Sequence, residues 1–150
     1  MPTLIVTRGL PGSGKTTWAR ERLADDMLRA ARVNRDDLRR SLHGGRMGEG
    51  WAERQVTLVQ RAAIGELLRA GVDVICDDTN LAARVVRDFA SLARDCDADF
   101  VVQDFTDVPL EVCIERDAAR DESARVGADV ITGMWERYLA GKALFADGNS

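Results

Sequence analysis

Eight consecutive residues, Gly9-Leu10-Pro11-Gly12-Ser13-Gly14-Lys15-Thr16, follow the pattern G-x-x-x-x-G-K-[S/T] in full. Gly9, Gly12 and Gly14 let the backbone close around phosphate groups, so that successive N–H groups, with Ser13 among them, and the positive end of a following helix face an anion. Lys15 supplies a point charge at the β/γ bridge of a nucleotide, and the Thr16 hydroxyl is placed to ligate Mg²⁺. Thr17 is a further candidate phosphate contact, whereas Trp18 reads as a packing residue on the helix side. The expected chemistry is binding of ATP with Mg²⁺.

A phosphate loop of this kind serves hydrolases and kinases alike, so the acceptor side has to discriminate. Asn34-Arg35-Asp36-Asp37-Leu38-Arg39 places two carboxylates just beyond a short apolar segment, where parallel sheets gather their ligand-binding groups. Transfer to an alcohol requires a base that takes the hydroxyl proton while the oxygen is held in line with the γ-phosphorus. Asp36 is the candidate base; a helix-start charge that complements the dipole is the other role open to Asp36, and the one better suited to Asp37. Arg39, three residues on and on the same helical side, is a candidate grip for an acceptor phosphate. Asp77-Asp78-Thr79-Asn80 follows the next apolar run. Asp78 reads as a Walker-B-like carboxylate acting on Mg²⁺ directly or through water, with Thr79 and Asn80 toward the substrate. Asp77 reads as either a functional carboxylate or an N-cap or turn residue.

Arg116 and Arg120 stand four apart after Pro109, the spacing of one helical face, and guanidinium groups on a movable segment would close over nucleotide phosphates. Glu115, Asp117 and Asp121 leave open the alternative of a solvated, charge-laced helix.

These residues need a scaffold. Thr3–Thr7 reads as a buried strand running into the glycine loop, and Lys15 to about Arg29 as a helix with Ala19, Leu23 and Met27 on one face. Further strands are expected at 31–34, 72–76 and 100–102, and helices at 35–42, 51–70, 82–96, from Pro109, and 126–139. The 51–70 helix carries the stripe Val56, Val59, Ala63 and Leu67 and is stopped by Gly71. Four glycines between His43 and Gly50 suggest a mobile surface loop, and residues 146–150 a frayed tail. Strands alternating with helices imply an α/β fold: a parallel sheet with helices on both faces, of the P-loop NTPase kind, adenylate-kinase-like with a small lid.

A chain of 150 residues fits one P-loop kinase domain over residues 1–150, burying roughly 68–70% of its unfolded surface. Hydrophobic residues at 45% and charged residues at 31% exclude a disordered or fibrous chain. The formal net charge of −4 argues against a broad basic surface, so any polynucleotide contact must be local. Among the 21 basic residues only Lys15 and Lys142 are lysines. Cys76, Cys96 and Cys113 are widely spaced and read as buried reduced thiols. No apolar run approaches the ~18 residues of a membrane span, which predicts a cytoplasmic protein without a membrane partner.

Taken together, the segments resemble the kinase domain of polynucleotide 5′-hydroxyl kinases, in particular the bacteriophage end-healing type. Pro11 to Glu21 is similar to that family's loop and following helix, Asn34-Arg35-Asp36-Asp37 with Arg39 to its catalytic segment, Asp78-Thr79-Asn80-Leu81 to its substrate segment, and Asp107-Val108-Pro109 with Arg116 and Arg120 to its lid. The likeness runs from Leu4 to about Tyr138 in the family's order. It implies ATP-dependent phosphorylation of 5′-hydroxyl ends of DNA or RNA in end healing, with Asp36 as base, Arg39 on the phosphate beside the acceptor hydroxyl, and Arg120 on the ATP phosphates. Arg116 and Arg84 are weaker transfers. Nothing in the chain resembles the phosphatase module that family members often carry, since Asp95-Cys96-Asp97 follows a helix, and a kinase alone is expected. The glycine-rich 44–50 segment also departs from the family's charged one. The competing readings are a small-metabolite kinase of sugar-acid, shikimate or nucleoside type and a nucleotide-dependent switch or toxin-like module.

Overall fold

The alternation of apolar residues along the first strand sets the layering. In β1 (Thr3–Arg8) Leu4 and Val6 have no exposed surface and point to one face of the sheet. The computed structural model describes residues 1–45 and 48–141. After β1 come α1 (Lys15–Leu23), β2 (Ala31–Arg32), α2 (Arg35–His43), α3 (Gly50–Arg69), β3 (Val74–Cys76), α4 (Ala83–Asp95), β4 (Asp99–Asp104), α5 (Leu110–Ala118), a single 3₁₀ turn at Glu122–Ala124, and α6 (Ala128–Tyr138).

The four strands are parallel, in the order β2-β3-β1-β4. From β1 the chain moves to one edge through α1, then returns to β3 and crosses to β4. Right-handed crossovers therefore put α1 on one face of the sheet and α3 and α4 on the other. The main core lies under α3 and α4, where Leu4, Val6, Val74 and Cys76 meet Ile64, Leu68, Phe89 and Leu92. Truncating a fully buried Ile64 or Leu68 to alanine costs about 2–5 kcal/mol. A smaller cluster of Leu10, Leu81, Cys113, Ile131 and Leu139 joins α5 and α6 to the C-terminal end of the sheet. Because β1 lies between β3 and β4, the segments leaving β1 and β3 open side by side at the point where the chain switches direction, the usual place for a ligand crevice.

Several expected boundaries shift. α1 stops at Leu23, well short of Arg29, and Met27 is 90% exposed. The Asp25 carboxylate accepts from the Met27 N–H at 3.0 Å and its carbonyl from Leu28, a side-chain turn that outcompetes the helix. The second strand contracts to 31–32 and the third to 74–76, while the fourth extends to 99–104. In α3 the buried line is Ala52, Val56, Gln60, Ile64 and Leu68, so the expected stripe through Val59, Ala63 and Leu67 is displaced by a fraction of a turn. The displacement comes from Gln60: it is polar, yet buried, because partners beyond β3 satisfy its amide. Gly71 does close α3: at φ 83 its N–H donates to Leu68 O, and Val72 N–H to Leu67 O, a Schellman pair.

The three cysteines are free and buried. Among the described residues no helix is long and apolar enough to cross a membrane. Of the glycine-rich segment, Gly44, Gly45 and Gly48 adopt positive φ, while residues 46 and 47, like the 146–150 tail, lie outside the described residues.

Candidate active site

The loop between β1 and α1 is held open by its glycines. Gly12 has φ 82, and a Cβ there would collide with the Cys113 carbonyl of α5; a Cβ on Gly9 would lie 2.8 Å from that of Phe105. Gly14 caps α1 at φ 101 with no side-chain hydrogen bond, and the first turn of α1 contains no acidic residue. The opening N–H groups of α1 thus face the crevice with their positive end uncompensated. Lys15, only 7% exposed, turns its ammonium back onto the loop, donating to Leu10 O at 2.6 Å and to Ser13 Oγ at 3.3 Å. Burial lowers its pKa to about 8, against the pull of Asp77 and Asp78 and with a further push from Arg120. Such a loop suits a polyanionic phosphate group, which would replace the bonds that Lys15 now makes within the chain. Thr16 is half-buried one residue into the helix, and Thr17 is exposed. Trp18 packs edge-on against Phe105 with ring centroids 6.1 Å apart.

Two further cations converge on the same loop. Arg116 Nη1 donates to Gly12 O at 3.4 Å, and Arg120 lies within electrostatic reach of Lys15. The shared helical face expected for them is not formed, because α5 ends at Ala118 and Arg120 sits past its cap, its N–H donating to Asp117 O. Asp117 is the reason. Its buried carboxylate accepts from the N–H groups of Val126 and Gly127, both at 2.9 Å, and so ties the end of α5 to the start of α6. Burial opposes ionisation of this carboxyl, but those two N–H groups, Arg120 and Arg125 outweigh it, and its pKa is lowered.

The residues expected on the acceptor side form a lattice of ion pairs drawn from β2, α2, α3 and the segment after β3. Asn34 caps α2, accepting from Asp37 N–H at 2.9 Å. Asp36, on the first turn, is 75% exposed and accepts from Arg39 Nη1 at 2.8 Å. Arg39 also forks onto Glu53 at 2.8 and 3.0 Å, and Arg35 reaches the same carboxylate at 2.7 Å. The hydrogen bond from Arg39, reinforced by Arg35, lowers the Glu53 pKa to about 2 despite partial burial.

Asp77 is neither an N-cap nor a turn residue: its carboxylate is gripped by Arg32 at 2.9 and 2.7 Å and by Asn34 at 3.1 Å. Asp78 directs Oδ1 to Arg35 N–H at 2.9 Å and Oδ2 to Gln60 at 2.6 Å and the Cys76 thiol at 3.2 Å. Burial raises its pKa, with these bonds in opposition. Thr79 offers its carbonyl to Gly9 N–H, and Asn80, at φ 46, donates to Thr7 O at 2.8 Å, so both stitch β3 to β1.

Asp78, Thr79, Asn80 and Arg84 come together around a cleft of about 410 Å³ that Met134 and Tyr138 of α6 also line. Arg35, Thr57 and Gln60 form its other wall. Asp36 and Arg39 do not line this cleft; they stand beside it, one and four residues beyond Arg35. Glu53 and Gln60 were not foreseen. No local spacing links Glu53 to residues 14 and 18 positions away, and a glutamine in an apolar stripe reads as a surface position. The cap formed by Asn34 and Asp37, in contrast, is written in their spacing.

Residues 4–144 match the model of the AAA domain family AAA_33. The chain belongs to this family. The AAA_33 chain is 26% identical over 141 residues to the L-seryl-tRNA(Sec) kinase of Methanococcus maripaludis, covering 90% of itself and 52% of that protein. It is 25% identical over 149 residues to a candidate bifunctional polynucleotide kinase/RNA ligase of Autographa californica nuclear polyhedrosis virus, covering 91% of itself and 21% of that protein. Among solved structures it superimposes on a chain of the Pnkp1/Rnl/Hen1 RNA repair complex with a TM-score of 0.83 at 29% identity, over 95% of this chain and 45% of that one. With the APS kinase CysC of Mycobacterium tuberculosis it shares the fold, at a TM-score of 0.65 and 21% identity over 79% and 69% of the two chains. The chain spans about half, or less, of the length of the curated relatives it matches. The resemblance to polynucleotide kinases carried by the motifs thus holds in both sequence and fold, and the parallel P-loop kinase architecture is borne out.

Proposed function

We propose that this chain is a kinase module that transfers the γ-phosphoryl group of ATP to the 5′-hydroxyl end of a DNA or RNA strand in end healing. The observation that carries the proposal is the pairing of a cation-lined phosphate loop, with Lys15, Arg116 and Arg120, with an Asp36–Arg39 unit at the start of α2, in a fold that overlays an RNA repair complex component over 95% of its length.

The roles follow from the chemistry. Gly9, Gly12, Ser13, Gly14, Lys15, Thr16 and Thr17 hold the donor phosphates, with Arg116 and Arg120 above them. Asp36 takes the proton of the acceptor hydroxyl; its oxygen then attacks the γ-phosphorus as the bond to the β–γ bridging oxygen breaks and ADP leaves. Arg39 takes the phosphate next to the acceptor hydroxyl. In exchanging Asp36 for that phosphate it frees the carboxylate where the proton is to be removed. Thr79, Asn80 and Arg84 border the acceptor, Asn80 chiefly by holding the β1–β3 junction.

Mg²⁺ would be held by hard oxygen donors, the Thr16 hydroxyl directly and Asp78 directly or through a water, since both oxygens of that carboxylate already accept from Arg35 N–H, Gln60 and Cys76; the ion would supply neutralisation of charge on the donor phosphates. Among the described residues no group of three His, Cys, Asp or Glu is placed to hold a metal ion, so the phosphates would complete the coordination.

A second reading is favoured by the similarity to L-seryl-tRNA(Sec) kinase: the acceptor hydroxyl is carried on a charged tRNA rather than on a free 5′ end. One end-labelling panel separates the possibilities, using radioactive ATP with 5′-hydroxyl oligonucleotides, seryl-tRNA, adenosine phosphosulfate and sugar acids. Label on the oligonucleotides is expected. Label confined to seryl-tRNA or to a small metabolite overturns the proposal.

A further inference from the structure

The cleft that borders Asp78 and Arg84 does not end there. A second hollow of about 290 Å³ shares Arg35, Thr57, Gln60, Arg84, Val85 and Phe89 with it and continues between α3 and α4 to Arg61 and Asp88.

Its cations also differ from those nearer the reaction centre. Arg32, Arg35 and Arg39 are each committed to carboxylates. Among the described residues the side chains of Arg61 and Arg84 make neither a hydrogen bond nor an ion pair, though both line the hollow. On a chain of net charge −4, two guanidinium groups without an ion-pair partner, set against the single carboxylate of Asp88 in the same hollow, leave it a local excess of positive charge. Val85 and Phe89 supply an apolar floor between them. Forked cations above an apolar floor match a nucleic-acid strand, whose phosphates recur along a chain of sugars and bases.

We propose that the α3–α4 groove is a subsite for the acceptor strand beyond its first nucleotide, in which Arg84 and Arg61 contact successive internucleotide phosphates. This rests on the polynucleotide reading of the site and extends it: the preferred acceptor is a strand of several nucleotides rather than a nucleoside 3′-phosphate. Arg61 is an exposed residue of α3 with no structural bond, so its replacement leaves folding intact.

The test is a length series: a nucleoside 3′-phosphate and 5′-hydroxyl oligonucleotides of two, three and six residues, with the wild-type chain and with Arg61→Ala, Arg61→Glu and Arg84→Ala. An Arg87→Ala variant, on α4 but not lining the groove, is the control. The wild type is expected to show kcat/KM rising with length, and Arg61→Ala to lower the ratio between hexamer and mononucleotide about tenfold, with the glutamate lowering it further. Binding of a labelled hexamer is expected to lose about 0.7 from its salt-dependence slope for the removed contact. Equal kcat/KM at every length, or equal loss at every length in Arg61→Ala, overturns the groove assignment and leaves the kinase reading standing. Absence of transfer to any nucleotide acceptor overturns both.

Discussion

The two halves of the site are built from different materials. The donor half is made of backbone: three glycines, a helix N-terminus and one lysine, all within eight consecutive residues, with arginines brought over from α5 and just beyond it. The half proposed to take the acceptor is made of side chains, among which Glu53 gathers Arg35 and Arg39, Asp77 gathers Arg32 and Asn34, and Asp78 gathers Gln60 and the Arg35 amide. A backbone cradle recognises what every nucleotide triphosphate shares. A side-chain lattice is adjustable residue by residue without disturbing the loop.

That contrast predicts separable losses. Asp36→Ala is expected to cut transfer ~10²–10⁴-fold while leaving nucleotide affinity close to that of the wild type. If it weakens nucleotide binding as well, the two halves are not independent. Lys15→Ala is expected to cost ~10²–10³-fold with every acceptor, through lost stabilisation of charge on the donor, read as kcat on both a good and a poor acceptor. Acceptor-dependent losses would place Lys15 on the other side of the comparison.

Glu53→Gln sharpens the picture of the acceptor half. It removes the charge that aligns Arg35 and Arg39, and about a tenfold loss in kcat/KM for the acceptor is expected, with the KM for nucleotide unmoved. The same variant has a signature in stability. A carboxyl lowered to about 2 when folded, from 4.5, binds fewer protons than in the unfolded chain between those values. Wild-type stability therefore falls as pH drops through that window, and Glu53→Gln should flatten that part of an acid denaturation curve.

The smallest effect concerns the donor half. Lys15, lowered to about 8 from 10.5 by burial, binds fewer protons folded than unfolded between those values, so the chain gains stability as pH rises from about 8 to 10.5. A phosphate beside Lys15 favours its charged form. Nucleotide binding near pH 8 to 9 should then take up a fraction of a proton, measured by calorimetry in buffers of different ionisation enthalpy. Zero uptake in Lys15→Met and finite uptake in the wild type is the expected pair of results.

The phosphate loop, the order of strands and helices, the cap at Asn34 and the stop at Gly71 were determined by the residues alone, because each depends on contacts a few positions apart and on the conformational freedom of particular glycines. The register of α3, the gathering of two arginines on Glu53, the burial of Gln60 and the path from Asp78 to Arg61 were decided only when α3 settled beside β3. A buried polar side chain is tolerated only where its partners arrive from elsewhere in the chain, and those partners lie 16 to 25 residues away from Gln60 in sequence, by no repeating interval. Local spacing can announce a phosphate site; which partners each carboxylate has, and which of them a substrate could exchange, is settled by the fold.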